Sequence, residues 1–298
     1  MIDVGVMLPG CLVSTDWLGD HIGDDGLRVV DIRGYVRTTE LGGGRQRAEY
    51  LAAADEYALG HIPGAVYVDW TTDITAAEDP VPVQVASASV FARAMAERGI
   101  GDGTAVVAVD HTGGHFATRL WWALRYYGHD NVAILDGGYA KWVAEGRAVT
   151  TDVPVFSPTT FNPRVRQELR ADYGVVLAAM GEPGTVIVDA RDRGQYEGTT
   201  YRGSRPGHIP GALHLPAKSL VADDGTWRPL PELAPLVEGA GINAEDRVVA
   251  YCNGGVTATA VLFALHRLGR TDWANYDGSW NEWGERPEFP AVVGLEPK

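Results

Sequence analysis

The chain has 298 residues, of which 45% are hydrophobic and 21% are charged, values that fit a globular protein and exclude a mainly disordered one. Its formal net charge of −14 has the wrong sign for a protein that binds nucleic acid or anionic membranes through its overall field. The length is about twice that of a typical domain of roughly 150 residues and therefore predicts two domains.

Cysteine content and the first residues indicate the compartment. Cys11 and Cys252 are too few for a disulfide framework or a thiolate metal site, so we expect a reduced, cytoplasmic protein. Residues 1–12 contain no Lys or Arg and only a short apolar stretch, which does not fit a secretory signal. No apolar run approaches the ~18 residues of a membrane span, so no membrane association is expected.

Neither a metal nor a cofactor is predicted. His111 and His115 are four positions apart, but they lie in a glycine-containing loop without a matching Glu-His pattern. No Gly-rich phosphate-binding motif follows the first predicted strand, so no organic cofactor is expected either.

Several motifs occur twice along the chain in the same order, which indicates two copies of one module. The recurring motifs are His-Ile-Pro-Gly-Ala at 61–65 and 208–212, Asp-Xaa-Arg at 31–33 and 189–191, and Asp-Gly ahead of a Trp at 136–142 and 277–283. We place the modules at residues 1–152 and 153–298, with the boundary in a stretch that contains Pro and Thr.

Each copy shows strands that alternate with helices. In chain order, we predict strands at Leu27–Ile32, Thr104–Val109, Val132–Leu135, Thr185–Val188, Arg247–Tyr251 and Trp273–Tyr276, and helices at Ala117–Tyr127 and Ala258–Leu268. This alternation predicts an α/β fold in which a parallel sheet in each module is flanked by helices. Reactive groups in such sheets lie on loops at the carboxyl ends of the strands.

The loop after the predicted strand Arg247–Tyr251 has the composition of an anion cradle. It runs through Cys252, Asn253, Gly254, Gly255, Val256 and Thr257, where a helix begins. Two consecutive glycines let several N–H groups converge, and the helix adds the positive end of its dipole. We therefore predict that Cys252 reacts as a nucleophilic thiolate; a buried, unreactive cysteine at a strand end is the alternative.

In these residues the chain resembles the two-domain rhodanese family of sulfurtransferases, over nearly its whole length from about Thr15 to Pro287. The resemblance is carried by the paired His-Ile-Pro-Gly-Ala motifs, Asp189–Arg191, the Cys252 loop and Tyr276–Trp283. It implies two tandem modules, each with a parallel, about five-stranded sheet, and a catalytic Cys only in the second, reached from a cleft between the modules. It also implies a mechanism in which the thiolate takes a sulfane sulfur, becomes a persulfide, and passes the sulfur to cyanide or a thiol.

The first module has Asp110 at the place of the cysteine. A carboxylate cannot accept sulfane sulfur, so this module is predicted to be catalytically inactive and to serve as a structural, pocket-forming partner.

Arginines at the same sheet edge are candidates for binding the donor. Arg191 suits an anionic donor because its guanidinium is planar and permanently charged, and in the family an Arg at this position binds substrate. An ion pair with Asp189 is the structural alternative. Arg193, Arg202 and Arg205 follow in a loop that could edge the cleft. Each is expected to be a surface charge, with help in donor binding by one of them as the alternative, and Arg205 is kept as a further candidate.

His61 is another candidate, because in the mercaptopyruvate branch of the family its counterpart joins a Ser/His/Asp relay. Otherwise it anchors the loop ahead of Ile-Pro-Gly.

The donor depends on the position two residues after Cys252. In the thiosulfate branch that residue is typically basic and in the mercaptopyruvate branch it is typically Ser, but here it is Gly254. Donor binding would then fall to the loop N–H groups and Arg191, which favours thiosulfate, with 3-mercaptopyruvate as the alternative. A non-enzymatic sulfur-relay protein with an unidentified acceptor protein uses the same persulfide and stays open. Cysteine phosphatases are disfavoured, because their Arg about six residues after the Cys is replaced by Ala258.

Overall fold

A computed structural model describes residues 6–295. Residues 1–5 and 296–298 lie outside the described part, and the first of these ranges begins the segment predicted to carry no secretory signal. The first half contains β1 (Leu12–Val13), α1 (Thr15–His21), β2 (Leu27–Asp31), β3 (Gly34–Gly42), β4 (Arg45–Ala52), α2 (Ala54–Leu59), β5 (Val66–Tyr67), α3 (Ala88–Glu97), β6 (Ala105–Val109), α4 (His115–Tyr126), β7 (Val132–Leu135) and α5 (Gly138–Ala144). The second half contains β8 (Arg170–Ala171), α6 (Tyr173–Ala179), β9 (Thr185–Asp189), α7 (Arg193–Glu197), β10 (Tyr201–Arg202), β11 (Leu213–His214), α8 (Leu230–Gly239), β12 (Arg247–Tyr251), α9 (Ala258–Arg267), β13 (Trp273–Tyr276) and α10 (Ser279–Trp283).

Two five-stranded parallel sheets form the centres of the two modules, which confirms the predicted α/β fold. The first sheet has the order β1-β7-β6-β2-β5, and the second has the order β11-β9-β12-β13-β8. All five residues of β6 are buried, as are four of the five in β12, because helices cover both faces of each sheet. These strands lack alternating polar residues because both of their faces are buried, as the sequence analysis inferred.

A third, three-stranded sheet was not predicted. The strands β3 and β4 form an antiparallel hairpin, and β10 from the second half pairs in parallel with β4, with Tyr201 opposite Arg45. The hairpin turns at Gly42, Gly43 and Gly44, all of which have positive φ. A Cβ at Gly44 would lie 2.3 Å from the Thr199 carbonyl oxygen, so β10 can approach the turn only because that residue is glycine. The glycine run between two stretches of extended character is the sequence signal for this hairpin.

The segment after residue 152 packs on the first module. The Thr159 N–H donates to the Ala96 carbonyl. The N–H groups of Arg164 and Arg166 donate to the carbonyls of Tyr127 and Tyr126, respectively. By these contacts residues 153–166 lie with the first module, and the second sheet begins with β8.

The two modules meet at α4 and α9. Thr118 and Thr259 share a hydrogen bond of 2.9 Å between their hydroxyls. The next residue of α4, the buried Arg119, donates to Asp277 at 2.6 Å and to the Gly255 carbonyl at 3.1 Å. Its other terminal nitrogen donates to the Val83 carbonyl at 3.0 Å. One side chain of the first module thus holds loops of both modules together.

Among residues 6–295, no helix is long and apolar enough to cross a membrane.

Candidate functional site around Cys252

Cys252 follows β12 at the carboxyl end of the second sheet and is 2% exposed. It lines a cavity of about 320 Å³ whose walls come from both modules. Its N–H donates to the Ser279 hydroxyl at 3.1 Å, and its carbonyl accepts from the Trp280 N–H at 3.1 Å. The start of α10 therefore fixes the backbone that carries the thiol.

The loop after Cys252 leaves a run of N–H groups open. In the described part of the chain, the backbone N–H groups of residues 253–257 donate to no protein atom. The turn requires Gly255, because its φ is +70° and a Cβ there would lie 2.9 Å from the Asp277 carbonyl oxygen. The Gly255 carbonyl is held from outside by Arg119 and by Asn275 at 3.0 Å. Since unpaired amides near a buried thiol can bind an anion, the loop fits the cradle predicted from its composition.

The matching loop of the first module shows such a cradle filled. The Asp110 carboxylate accepts from the backbone N–H groups of Thr112, Gly114, Phe116 and Ala117 at 2.7–3.0 Å. The Asp110 carboxylate thus accepts the backbone N–H groups of this loop, whereas the corresponding N–H groups of the Cys252 loop have no such acceptor among the described residues.

Ser279 is a site residue that the sequence analysis missed. Its φ of 51° is unusual for a residue with a side chain, whereas the matching Gly138 of the first module adopts 56° without strain. The Ser279 hydroxyl accepts from the Cys252 N–H and donates to the Tyr276 carbonyl at 2.7 Å. The signal in the sequence was the change from Asp-Gly-Gly in the first copy to Asp-Gly-Ser in the second.

Arg191 lines the cavity and also forms the ion pair that was its structural alternative. Its Nη2 lies 2.6 Å from an Asp189 oxygen and donates to the Gly207 carbonyl at 2.8 Å. Burial by itself would lower the pKa of Arg191, but the charges of Asp189 and Tyr251 and the hydrogen bonds to them together raise that pKa. Its Nη1 is buried and has no hydrogen-bond partner among the described residues, so one corner of the guanidinium is left for a ligand.

The loop arginines are placed differently from the expectation. Arg205 does not line the cavity: it donates to the carbonyls of Phe289, Trp283 and Arg286 and so fastens the C-terminal segment. These contacts do not support its candidacy as a donor-binding residue. Arg202, expected to be a surface charge with donor binding as the alternative, lines the cavity and donates to the Thr38 hydroxyl at 2.8 Å. Its buried Nε has no partner within residues 6–295. The hairpin brings it there, because β10 pairs with β4.

His61, the other further candidate, also lies away from Cys252. It is fully buried in the first module and is absent from the walls of the Cys252 cavity. Its Nδ1 lies 2.8 Å from the Tyr57 carbonyl and its Nε2 lies 3.1 Å from the Asp152 carbonyl. Both ring nitrogens thus face main-chain oxygens, which fits a loop anchor rather than a relay.

A chain of side-chain amides closes one side of the cavity. Asn253 donates to Gln195 at 2.9 Å, and Gln195 donates to Gln46 of the hairpin at 3.0 Å. Gln195 was not identified from the sequence. At the same cavity, Lys218 and Asp192 form an ion pair of 2.5 Å.

The space beside Gly254 belongs to the first module. A Cβ at this position would lie 2.2 Å from Cγ2 of Val83 and 2.9 Å from Nδ2 of Asn281. Val83 itself has φ of +61°, an unusual conformation for a β-branched residue. The residue two after the cysteine therefore carries no side chain because Val83 already fills that volume.

No group of three or more His, Cys, Asp or Glu residues arranged to hold a metal ion occurs in residues 6–295.

Comparisons with known proteins agree with this architecture. The family model described as "Rhodanese-like domain" matches residues 14–145 and 173–286. The chain is 33% identical over 306 residues to "Sulfur carrier protein TtuD" of Thermus thermophilus, covering 98% of this chain and 100% of that one. It is 34% identical over 304 residues to "Putative thiosulfate sulfurtransferase SseA" of Mycobacterium tuberculosis, covering 97% and 93%.

A solved structure gives the same result in three dimensions. The crystal structure of SseA from Escherichia coli, a 3-mercaptopyruvate sulfotransferase by its title, superposes with a TM-score of 0.79 at 31% identity and covers 91% of this chain and 98% of that one. With two matched domains that span most of its length, the chain belongs to the rhodanese family.

Proposed function

We propose that this sulfurtransferase takes a sulfane sulfur from an anionic donor, thiosulfate, onto Cys252 and passes it to cyanide or a thiol acceptor. The observation that carries the proposal is the position of Cys252 in a cavity beside a run of backbone N–H groups with no protein acceptor. Such groups stabilise negative charge without having to reorganise during the reaction.

The proposed chemistry needs no oxidant. The Cys252 thiolate attacks the outer sulfur of thiosulfate, the S–S bond of the donor breaks, and sulfite leaves with the bonding electron pair. The terminal sulfur of the persulfide then carries the negative charge against the N–H groups of residues 253–257. A nucleophilic acceptor attacks that sulfur and returns Cys252 to its thiolate.

Donor oxygens would be bound by the loop amides Asn253, Gly254, Gly255, Val256 and Thr257 together with Arg191 and Arg202. The unpartnered Nη1 of Arg191 and Nε of Arg202 support this assignment. Val83 supports thiosulfate over 3-mercaptopyruvate, because it occupies the place from which a side-chain hydroxyl at position 254 would act. The 3-mercaptopyruvate donor remains the second candidate, since a structural relative carries that activity in its title.

The acceptor and the compartment are proposed on less direct grounds. A relative is named a sulfur carrier protein, which makes an acceptor protein a further candidate beside small thiols. Both Cys11 and Cys252 are free, which supports a reducing compartment such as the cytoplasm.

The test is intact-mass analysis after incubation with thiosulfate. We expect the wild type and the matched control Cys11→Ser to gain one sulfur atom that cyanide removes. We expect no gain for Cys252→Ser. Sulfur on Cys252→Ser, or none on the wild type, would contradict the proposal.

The donor is tested separately by steady-state turnover with cyanide as acceptor. We expect a higher kcat/KM with thiosulfate than with 3-mercaptopyruvate. The reverse order would leave the Cys252 persulfide in place and move the donor to 3-mercaptopyruvate.

A further inference from the structure

We propose that His115 of the first module is the general base that removes the proton from the acceptor when the persulfide on Cys252 is discharged. This inference rests on the proposed function and assigns a chemical role to the module that lacks the cysteine.

The placement of His115 is the first observation. It is the first residue of α4, and it lines the same cavity as Cys252, Asn253 and Thr257. Its Nε2 is buried and has no hydrogen-bond partner in the described part of the chain. A buried ring nitrogen at the wall of a reactive cavity, free of any internal acceptor or donor, is available to a bound molecule.

The loop that carries His115 is rigid. Four backbone N–H groups around it donate to the Asp110 carboxylate, including those of Gly114 and Phe116 on either side of the histidine. The residue that replaces the cysteine in the first module therefore fixes the backbone from which His115 reaches the cavity of Cys252.

The surroundings keep the imidazole able to accept a proton. Burial lowers the pKa of His115, and the charges of Asp110 and Asp192 oppose this only in part. Asp192 is in turn paired with Lys218. The other charged groups at the cavity walls are the cationic Arg191 and Arg202 and the anionic sulfur of Cys252. His115 is therefore neutral at pH 7 and can take a proton at Nε2.

The two half-reactions differ in their need for such a base. Loading from thiosulfate transfers no proton, because the thiolate attacks sulfur and sulfite leaves as an anion. A thiol acceptor and hydrogen cyanide both arrive protonated at neutral pH and must lose that proton to become nucleophiles. In the step we propose, Nε2 takes the thiol proton and the new thiolate bonds to the terminal sulfur. The bond from that sulfur to Cys252 then breaks, and Cys252 keeps the electron pair. The product persulfide can recover the proton from the imidazolium as it leaves.

The experiment separates the half-reactions in His115→Gln. The enzyme is loaded with thiosulfate, the persulfide is verified by intact mass, and discharge is followed in a single turnover with 2-mercaptoethanol or with sulfite, whose dianion is already abundant at neutral pH and needs no base. We expect normal loading and discharge to sulfite within about twofold of the wild type. Discharge to the thiol should be about 100-fold slower at neutral pH. The variant should react only with preformed thiolate, so its rate should rise about tenfold per pH unit up to the pKa of the thiol, whereas the wild-type profile should be flatter.

His111→Gln is the matched control, because His111 lies in the same loop but does not line the cavity; it should behave as the wild type in both half-reactions. His115→Phe gives a second variant that keeps a ring, and it should show the same split between the two acceptors. Unchanged thiol discharge, or equal losses with thiol and sulfite, would overturn the role of His115. A wild type that forms no persulfide would overturn the proposed function as well, and the mass measurement distinguishes this failure from the other two.

Discussion

Position 254 is a glycine because a residue of the other module leaves no room for a side chain there. Its backbone does not lie in the left-handed region, so conformation does not require glycine here. The requirement is spatial, since Val83 fills the volume in which a side chain at 254 would lie. The local chemistry beside Cys252 is therefore set by a pair of positions, and a change at either is expected to depend on the other.

We predict a measurable coupling between these two positions. Gly254→Ala should destabilise the protein by about 1–3 kcal/mol, because the new Cβ overlaps Val83. Val83→Gly opens that space and removes the strain of a β-branched residue at positive φ, so the double variant should lose less than the sum of the two single changes. Urea titrations of the four proteins give the double-mutant cycle. Additive losses would mean that the two residues do not compete for one volume.

At the scale of elements, the loops after β6 and β12 are two copies of the same glycine-containing turn. Each turns through a glycine with positive φ, at Gly113 and Gly255, and each directs backbone N–H groups inward. The loop after β6 is closed by its own carboxylate, whereas the loop after β12 stays open next to a thiol. The first loop is thereby stabilised, and the second is left able to bind a ligand.

The closed loop leads to a stability prediction. Asp110→Ala should lower the free energy of unfolding by about 2–4 kcal/mol, because four N–H groups would lose a charged acceptor. Asp110→Asn should lose less, since one oxygen is kept. Asp79→Ala, which removes an exposed carboxylate that accepts from a single N–H group, is the control and should change stability by about 0.5 kcal/mol or less. Chemical denaturation measures all three, and an Asp110→Ala loss no larger than that of the control would refute the argument.

At the scale of the whole molecule, the cavity at Cys252 exists only while the modules stay docked, because residues of both modules line it. Arg119 and Asp277 are 158 positions apart and form a buried ion pair. The Asp277 carboxylate also accepts from the Val85 N–H at 2.8 Å, so the loop that carries Val83 is tied to the second module. One cluster, formed by Arg119 and Asp277, therefore determines how the modules dock, how the cavity is shaped and where Val83 lies.

We predict that Arg119→Met lowers the free energy of unfolding by about 2–4 kcal/mol, because the buried Asp277 loses the closer of its two arginine partners and keeps only Arg170, at 3.3 Å. Transfer from thiosulfate to cyanide should fall with it, since the Gly255 carbonyl and Val83 lose their shared donor. Arg193→Met removes a solvent-exposed ion pair with Glu197 and should cost about 0–1 kcal/mol. Equal effects of the two substitutions in urea titrations and turnover assays would show that the cluster does not hold the modules together.

Local patterns were sufficient for much of the architecture. The strands Val132–Leu135, Arg247–Tyr251 and Trp273–Tyr276 have their predicted bounds, and α9 ends one residue earlier than predicted. The duplicated motifs predicted two modules, and the loop that begins at Cys252 was recognised from its own composition. These features were accessible because short-range steric and hydrogen-bonding preferences of neighbouring residues determine them.

The rest of the site was decided by contacts between residues far apart in the chain. Arg202 reaches the cavity while Arg205 does not, because β10 joins a hairpin that the sequence analysis did not identify. His115 and Val83 come from the first module, and no sequence pattern near Cys252 predicts that these two residues lie at its cavity. The sequence by itself determined the duplicated fold and the glycine-containing loop at Cys252, since the spacing of neighbouring residues determines both. Tertiary structure alone decided which side chains surround the thiol, because packing of the two modules creates that cavity.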